Sequence, residues 1–364
     1  RPHVNRSFTT MSRTNAVGPC SGQGMGAGPR GARRAGAARG SVRCRVAAER
    51  PFSLSASTTM EKLRQTRLIT ALKTPYLPNG KFDLDCYDAF LDDQIKNGVQ
   101  GVIVGGTTGE GQLMSWDEHI MLIAHTVNTF GREIQVIGNT GSNSTREALH
   151  ATEQGFNVGM HASLQINPYY GKTSVDGLKE HFRRAMDMGP AMIYNVPART
   201  GQDIEEHTML ELAEHENFIG VKECEGNERI ARYSAKGICC WSGNDDEAHD
   251  ARHGSGAVGV VSVTSNVIPG IFSKLMGADP QPELNEKCQA LISWLFAEPN
   301  PIGVNTCLSM TGQVKPVFRL PYVPYDRERR EEGLRLLKEL GEEVGGHENL
   351  KVLEDSEFVL LDAF

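Results

Sequence analysis

RLITALKTP, residues 67–75, is an apolar run of strand length, and the turn after it, PYLPNGKFD at 75–83, decides which kind of sheet the strand opens. A doubly wound open sheet normally carries GxGxxG in its first turn, where a dinucleotide's phosphates meet a helix N-terminus. Here the turn holds two prolines and an Asn-Gly pair, and reads as a simple loop. Seven more runs of strand length follow: VQGVIVGG (99–106), EIQVIGN (133–139), HASLQINP (161–168), AMIYNVP (191–197), FIGVKEC (218–224), ICCWSGN (238–244) and AVGVVSVTS (257–265). Helical stretches such as LDCYDAFLDDQIKNG, SWDEHIMLIAHTVNTFG and VDGLKEHFRRAMDMG lie between them, each closed by a glycine suited to a left-handed cap. Ser115 with Glu118, and Ser144 with Glu147, have the spacing of capping boxes. Strands alternating with helices, most of them apolar enough for burial on both faces, predict an α/β fold, a parallel eight-stranded (β/α)8 barrel of the TIM type. Beyond Gly277 a Pro-containing break leads to further helical patterns, which predict a C-terminal helical extension packed beside the barrel.

Charge divides the chain. The net charge is −7, yet the first 50 residues hold ten arginines, no lysine and one acid, Glu49. Rich also in Ser, Ala and Gly and without an apolar signal core, this leader matches an organelle transit peptide. A basic arm for nucleic acid is the competing reading, but the leader's one aromatic is Phe8 and the rest of the chain is acidic, so no nucleic-acid partner is expected. The expected organisation is a transit segment at 1–56, cleaved between Cys44 and Thr59, a catalytic barrel at 57–279, and the extension at 280–364. No apolar stretch is long enough to span a bilayer, so no membrane partner is expected. The eight cysteines include no CxxC pair, which fits core thiols in a reducing compartment and predicts no metal site.

In a barrel, chemistry gathers at the C-terminal ends of the strands. Lys222 stands there in FIGVKEC, beside Ile219, Gly220 and Val221. Burial of an ammonium lowers its pKa, and the neutral amine is a nucleophile that condenses with ketones. A lysine that snorkels, or that pairs with Glu223, is the alternative. GGTTGEGQ (105–112) joins glycines and two hydroxyls, Thr107 and Thr108, in a loop whose N–H groups suit a small carboxylate, or which is simply a tight turn. Tyr169 and Tyr170, Tyr194 with Arg199, and Asn244 with Asp245 come after the fourth, fifth and seventh strands. Each tyrosine also has a packing role as its alternative.

GGTTGEG, INPYYGK, YNVPARTG, GVKEC, SGNDDE and GVVSVTSN occur in the order and spacing of 4-hydroxy-tetrahydrodipicolinate synthases, within the pyruvate-dependent class I aldolases that include N-acetylneuraminate lyase. The chain resembles that family from about Leu63 to Tyr322. The resemblance implies a lysine-biosynthesis lyase that condenses pyruvate with aspartate semialdehyde through a covalent imine on Lys222, without metal or organic cofactor. It implies that Tyr194 moves protons through Thr108 and the partner subunit's Tyr170, that Thr107 and Thr108 with the backbone at Val261 hold pyruvate's carboxylate, and that Arg199 holds the semialdehyde's carboxylate. It also implies feedback inhibition by lysine at Gln112, Trp116, His119, Asn143, Glu147 and Tyr169, on a tight dimer interface of a homotetramer. Bacterial members commonly carry His in place of Trp116, whereas plant members carry Trp, so Trp116 and the leader together point to the chloroplast. A sugar-acid lyase is the alternative among enzymes, and a lysine-sensing barrel without turnover is the alternative outside them.

Overall fold

The computed structural model describes residues 56–362, with side chains from Met60 onward. The expected transit segment lies outside these residues except for Ala56, where the first helix begins. The described residues belong to one compact unit.

Eight short parallel strands close into a barrel: β1 (Leu68–Ala71), β2 (Gly101–Val104), β3 (Gln135–Asn139), β4 (Ala162–Ile166), β5 (Ala191–Asn195), β6 (Phe218–Glu223), β7 (Cys240–Ser242) and β8 (Gly259–Ser262). Closure is direct, since Ile69 of β1 stands opposite both Gly101 of β2 and Val261 of β8. Both faces of each strand are covered, for different reasons. Ile69, Ile103, Ile137, Leu164, Ile219 and Val261 point inward and fill the barrel. Their neighbours Leu68, Val102, Val136 and Val260 point outward against the helices. Each such aliphatic side chain, fully buried, contributes roughly 1.5–3 kcal/mol. The helix Ala56–Gln65 covers the N-terminal end of the barrel, where Arg64 Nη2 donates to the Phe218 carbonyl at 2.7 Å and Trp241 Nε1 to that of Thr66 at 2.7 Å.

Some local expectations change. The box at Ser115 and Glu118 forms in full. Ser144 makes no side-chain cap, and the other half of the box is bridged by Ser142, whose hydroxyl accepts the Ser144 N–H at 3.2 Å and donates to Glu147 at 3.1 Å. Gly98 is left-handed at φ +89, whereas Gly131 ends its helix in a right-handed conformation at φ −63. The C-terminal extension holds the expected helical stretches at Pro282–Leu295 and Arg327–Leu340, a further helix at Ile302–Met310, and a two-stranded parallel sheet of β9 (Val317–Arg319) and β10 (Val359–Leu361). Runs of three residues, one of them half-buried, carry too little periodicity to be read in advance. The extension shares a core with the barrel's outer layer: Leu291 and Trp294 join the cluster that contains Phe272 and Leu275.

Candidate active site

Lys222 is aimed by a defect in its strand. Along β6, Phe218 faces outward and Ile219 inward, so strict alternation would turn Lys222 out and Glu223 in. The register with β5 slips between Ala191 and Met192, which face Phe218 and Gly220. This bulge shifts the alternation by one residue and re-aims the rest of the strand. Gly220 permits it: its φ is +156, and a Cβ there would stand 2.3 Å from the Cys239 carbonyl oxygen. Val221 therefore packs outward, and Lys222 enters the cavity at the mouth.

That cavity, of about 230 Å³, is lined by Thr107, Thr108, Tyr194, Arg199 and Asn244 along with Lys222. Lys222 is 7% exposed, and burial lowers its pKa, with Arg199 adding to the effect while Cys224 and Asp245 oppose it. Its Nζ lies 4.1 Å from the centre of the Tyr194 ring, across the register that sets Tyr194 opposite Lys222. The alternative of a Lys222–Glu223 pair does not hold. Glu223 turns to the other face, accepts Asn195 Nδ2 at 2.9 Å and the N–H groups of Cys224 and Glu225 at 3.0 Å each, and is pushed by burial up to about 7.

Tyr194 is raised well above the ordinary phenol value, first by burial, so it stands protonated and is poised to donate. Burial also pushes the nearby Cys224 thiol up to about 11. Thr108 is buried and its hydroxyl accepts from Asn300 Nδ2 at 3.0 Å. No protein acceptor among the described residues takes the Thr107 or Thr108 N–H, which leaves both for a carboxylate at the mouth. Arg199 is exposed on a one-turn helix, Pro197–Thr200, started by its proline and closed by Gly201 at φ +73. Asp245 holds the end of β8: its Oδ2 accepts the N–H of Val263 at 3.0 Å and that of Thr264 at 2.7 Å. Val261 itself lies inside the barrel packing, and Val263 is the residue of that segment that lines the cavity.

Tyr170 is not part of this cavity. It is 95% exposed at φ +68, beside Tyr169 at 39%. Of the other expected effector residues, Trp116 stacks on His119 with ring centres 5.4 Å apart. His119 is buried and depressed by burial to about 4. Gln112 Nε2 donates to the Tyr322 hydroxyl at 2.8 Å, while Asn143 and Glu147 are exposed. No hydrogen bond or ring contact joins the Trp116–His119 pair to Asn143, Glu147 or Tyr169 among the described residues.

The sequence reading missed Asn300 and Phe296, which reach the cavity from the C-terminal extension. A Pro-Asn-Pro run was the available signal, but it lies far outside the barrel's strand ends. Among the described residues no group of three His, Cys, Asp or Glu side chains suits a metal ion, and no helix is long and apolar enough to cross a membrane.

Residues 64–340 match the model of the dihydrodipicolinate synthetase family. The chain is 60% identical over 316 residues to the chloroplastic 4-hydroxy-tetrahydrodipicolinate synthase of Glycine max, which covers 86% of this chain and 95% of that one. Against the first chloroplastic enzyme of Arabidopsis thaliana the identity is 58% over 308 residues, 84% of each chain. Among solved structures, the chloride-inhibited dihydrodipicolinate synthase of Acinetobacter baumannii complexed with pyruvate aligns at a TM-score of 0.73 and 33% identity, covering 76% of this chain and 99% of that one. The enzyme of Cyanidioschyzon merolae with lysine bound aligns at 0.73 and 29% identity, with the same coverage.

Proposed function

The chain belongs to the dihydrodipicolinate synthetase family, and from that premise we propose that it condenses pyruvate with L-aspartate 4-semialdehyde in the chloroplast to give 4-hydroxy-tetrahydrodipicolinate, the first committed step towards lysine. One observation carries the reading: a buried lysine, its pKa depressed, opens into a closed barrel mouth beside a protonated phenol.

The amine of Lys222 attacks the ketone carbon of pyruvate, and water leaves as the imine forms. The imine nitrogen then accepts the electron pair released when a methyl proton departs, which gives an enamine. Its terminal carbon attacks the semialdehyde's carbonyl carbon. The substrate's own amine finally displaces Lys222 as the ring closes. Tyr194 hands over the protons that these steps need, with Thr108 and the partner subunit's Tyr170 as its relay. Thr107 and Thr108 hold pyruvate's carboxylate through backbone N–H groups, with the backbone of the Val261–Val263 segment beside them. Arg199, a planar two-pronged donor at the rim, takes the semialdehyde's carboxylate. The imine is the electron sink, so the scheme calls for no metal or organic cofactor.

Lysine inhibits at Gln112, Trp116, His119, Asn143, Glu147 and Tyr169, and the working form is a homo-oligomer, a tetramer built from dimers. The isolation of Tyr170 from its own cavity supports this reading, because an aromatic side chain left exposed in the left-handed region suits an interface.

The test is borohydride reduction of the purified protein with pyruvate, followed by peptide mass analysis, alongside a reductase-coupled rate with and without lysine. Reduced pyruvate on the Lys222 peptide and turnover that lysine suppresses are expected. Imine formation without condensation, with sugar acids turned over instead, would assign the chain to the lyases. Lysine binding without any imine would make it a sensor.

A further inference from the structure

The proposed chemistry leaves unused the most deeply buried ion pair among the described residues. Lys73, just past β1, meets Glu110, in the turn after β2, at 2.5 Å with both side chains at or below 2% exposure. Asn305, in the helix Ile302–Met310, donates to the same Glu110 oxygen at 2.5 Å. Taking two charges out of water costs several kcal/mol per ion, so such a pair is weak evidence of stability and better evidence that a conformation is being fixed.

The conformation in question is that of the carboxylate turn. Glu110 sits at φ +61, a region non-glycine residues seldom hold, and its N–H closes the turn on the Thr107 carbonyl at 3.1 Å. Gly109, between Thr108 and Glu110, has no room for a Cβ, which would stand 2.7 Å from the Leu72 carbonyl oxygen. Lys73 is itself anchored: its N–H donates to Asn266 Oδ1 at 3.0 Å, and Asn266 Nδ2 donates to the carbonyls of Ala71 and Val263. Asn300 meets Thr108 from the same extension that supplies Asn305. The turn is thus gripped from the ends of β1 and β8 on one side and from the C-terminal extension on the other.

We propose that Glu110 is a positioning residue: clamped by Lys73 and Asn305, its carboxylate holds the Thr107–Thr108 turn in the shape that receives the carboxylate of pyruvate. The proposal rests on the function proposed for the chain. It makes the C-terminal extension part of the substrate site rather than a cover for the barrel.

Glu110→Gln keeps the shape and removes the charge, and the double variant Lys73→Met/Glu110→Gln also removes the ammonium that the first leaves unpaired. In Glu110→Gln the KM for pyruvate rises about tenfold or more, the loss expected for charge-assisted hydrogen bonds, while the KM for the semialdehyde stays close to wild type. The double variant regains the melting temperature lost by the single one but keeps the raised pyruvate KM. A purely structural pair would move stability and leave that KM alone. An unchanged pyruvate KM in either folded variant, with wild-type imine trapping intact, overturns this inference alone. A wild type that forms no imine overturns it together with the function on which it rests.

Discussion

Replacing Gly243 with alanine tests how closely the proposed nucleophile, Lys222, is packed. The glycine sits just after β7 and lines the cavity, and a Cβ there would stand 2.3 Å from Cys224 Sγ and 3.1 Å from Lys222 Cε. Non-bonded contact is comfortable from about 3.5 Å, so the sulfur must retreat by about 1 Å. The backbone offers no relief, because the Gly243 N–H donates to the Glu223 carbonyl at 2.8 Å and ties the residue to β6. Cys224 is held as well: its N–H donates to the Asn195 carbonyl at 3.2 Å and its own carbonyl accepts Asn244 Nδ2 at 3.2 Å. The thiol must therefore swing against Tyr194 and Lys222. A misplacement of about 1 Å at reacting groups costs about a hundredfold in rate, and overpacking of this kind costs roughly 1–3 kcal/mol of stability. Gly243→Ala is expected to lose about a hundredfold in kcat/KM in the coupled assay, to trap pyruvate more slowly with borohydride, and to melt earlier. Adding Cys224→Ala removes the sulfur and should restore most of the loss, leaving a 3.1 Å contact with a flexible lysine stem. Wild-type rates in Gly243→Ala, or a double variant as slow as the single one, would refute the reasoning.

Glu223→Gln should retain most of its turnover, because the carboxylate faces Asn195 and not Lys222; loss of imine trapping in this variant would reinstate the pair. Burial lifts the folded Glu223 carboxyl to about 7, so the native state keeps a proton that the unfolded chain has already shed above the ordinary carboxylate range. Stability from this group therefore falls as pH rises towards 7, and Glu223→Gln should gain on the wild type in urea melts at pH 8 by on the order of 3 kcal/mol at most. His119 and His181 act in the opposite sense: burial holds each at about 4, whereas an unfolded histidine titrates near its ordinary 6.5. The unfolded chain takes up those protons first, so stability is lost as pH falls from about 6.5 to 4, by on the order of 3 kcal/mol per residue. His181→Gln should flatten part of that decline, and an unaltered slope would mean that His181 does not contribute to it.

The fold was legible because its two requirements are written in separate alphabets. Strand runs such as VQGVIVGG are apolar on both faces, and the intervening helices announce their ends with caps and glycines, so periodicity alone yielded eight units and their order. The failures are local competitions. Glu147 has the right spacing for a box with Ser144, but the Ser142 hydroxyl takes the Ser144 N–H and gives its own proton to Glu147. β9 and β10 exist because residues more than forty positions apart meet, and no short window records such a meeting.

The site was legible in the residues that barrel geometry sends to the mouth, and illegible where another part of the chain completes it. FIGVKEC advertises a lysine, yet simple alternation points that lysine the wrong way; only the bulge at Gly220, seen as a slipped register, brings it in. Thr108 shows the same limit. A hydroxyl that accepts from Asn300 keeps its own proton to donate and a second lone pair with which to accept, so it stays competent to pass a proton on. Asn300 thereby occupies one of the three bonding positions of that hydroxyl from a segment far outside the motif. Tyr170, the far end of the proposed relay, stands exposed in its own protomer. The proposed relay thus draws on the C-terminal extension and on assembly together, and neither leaves a mark within the GGTTGEG motif.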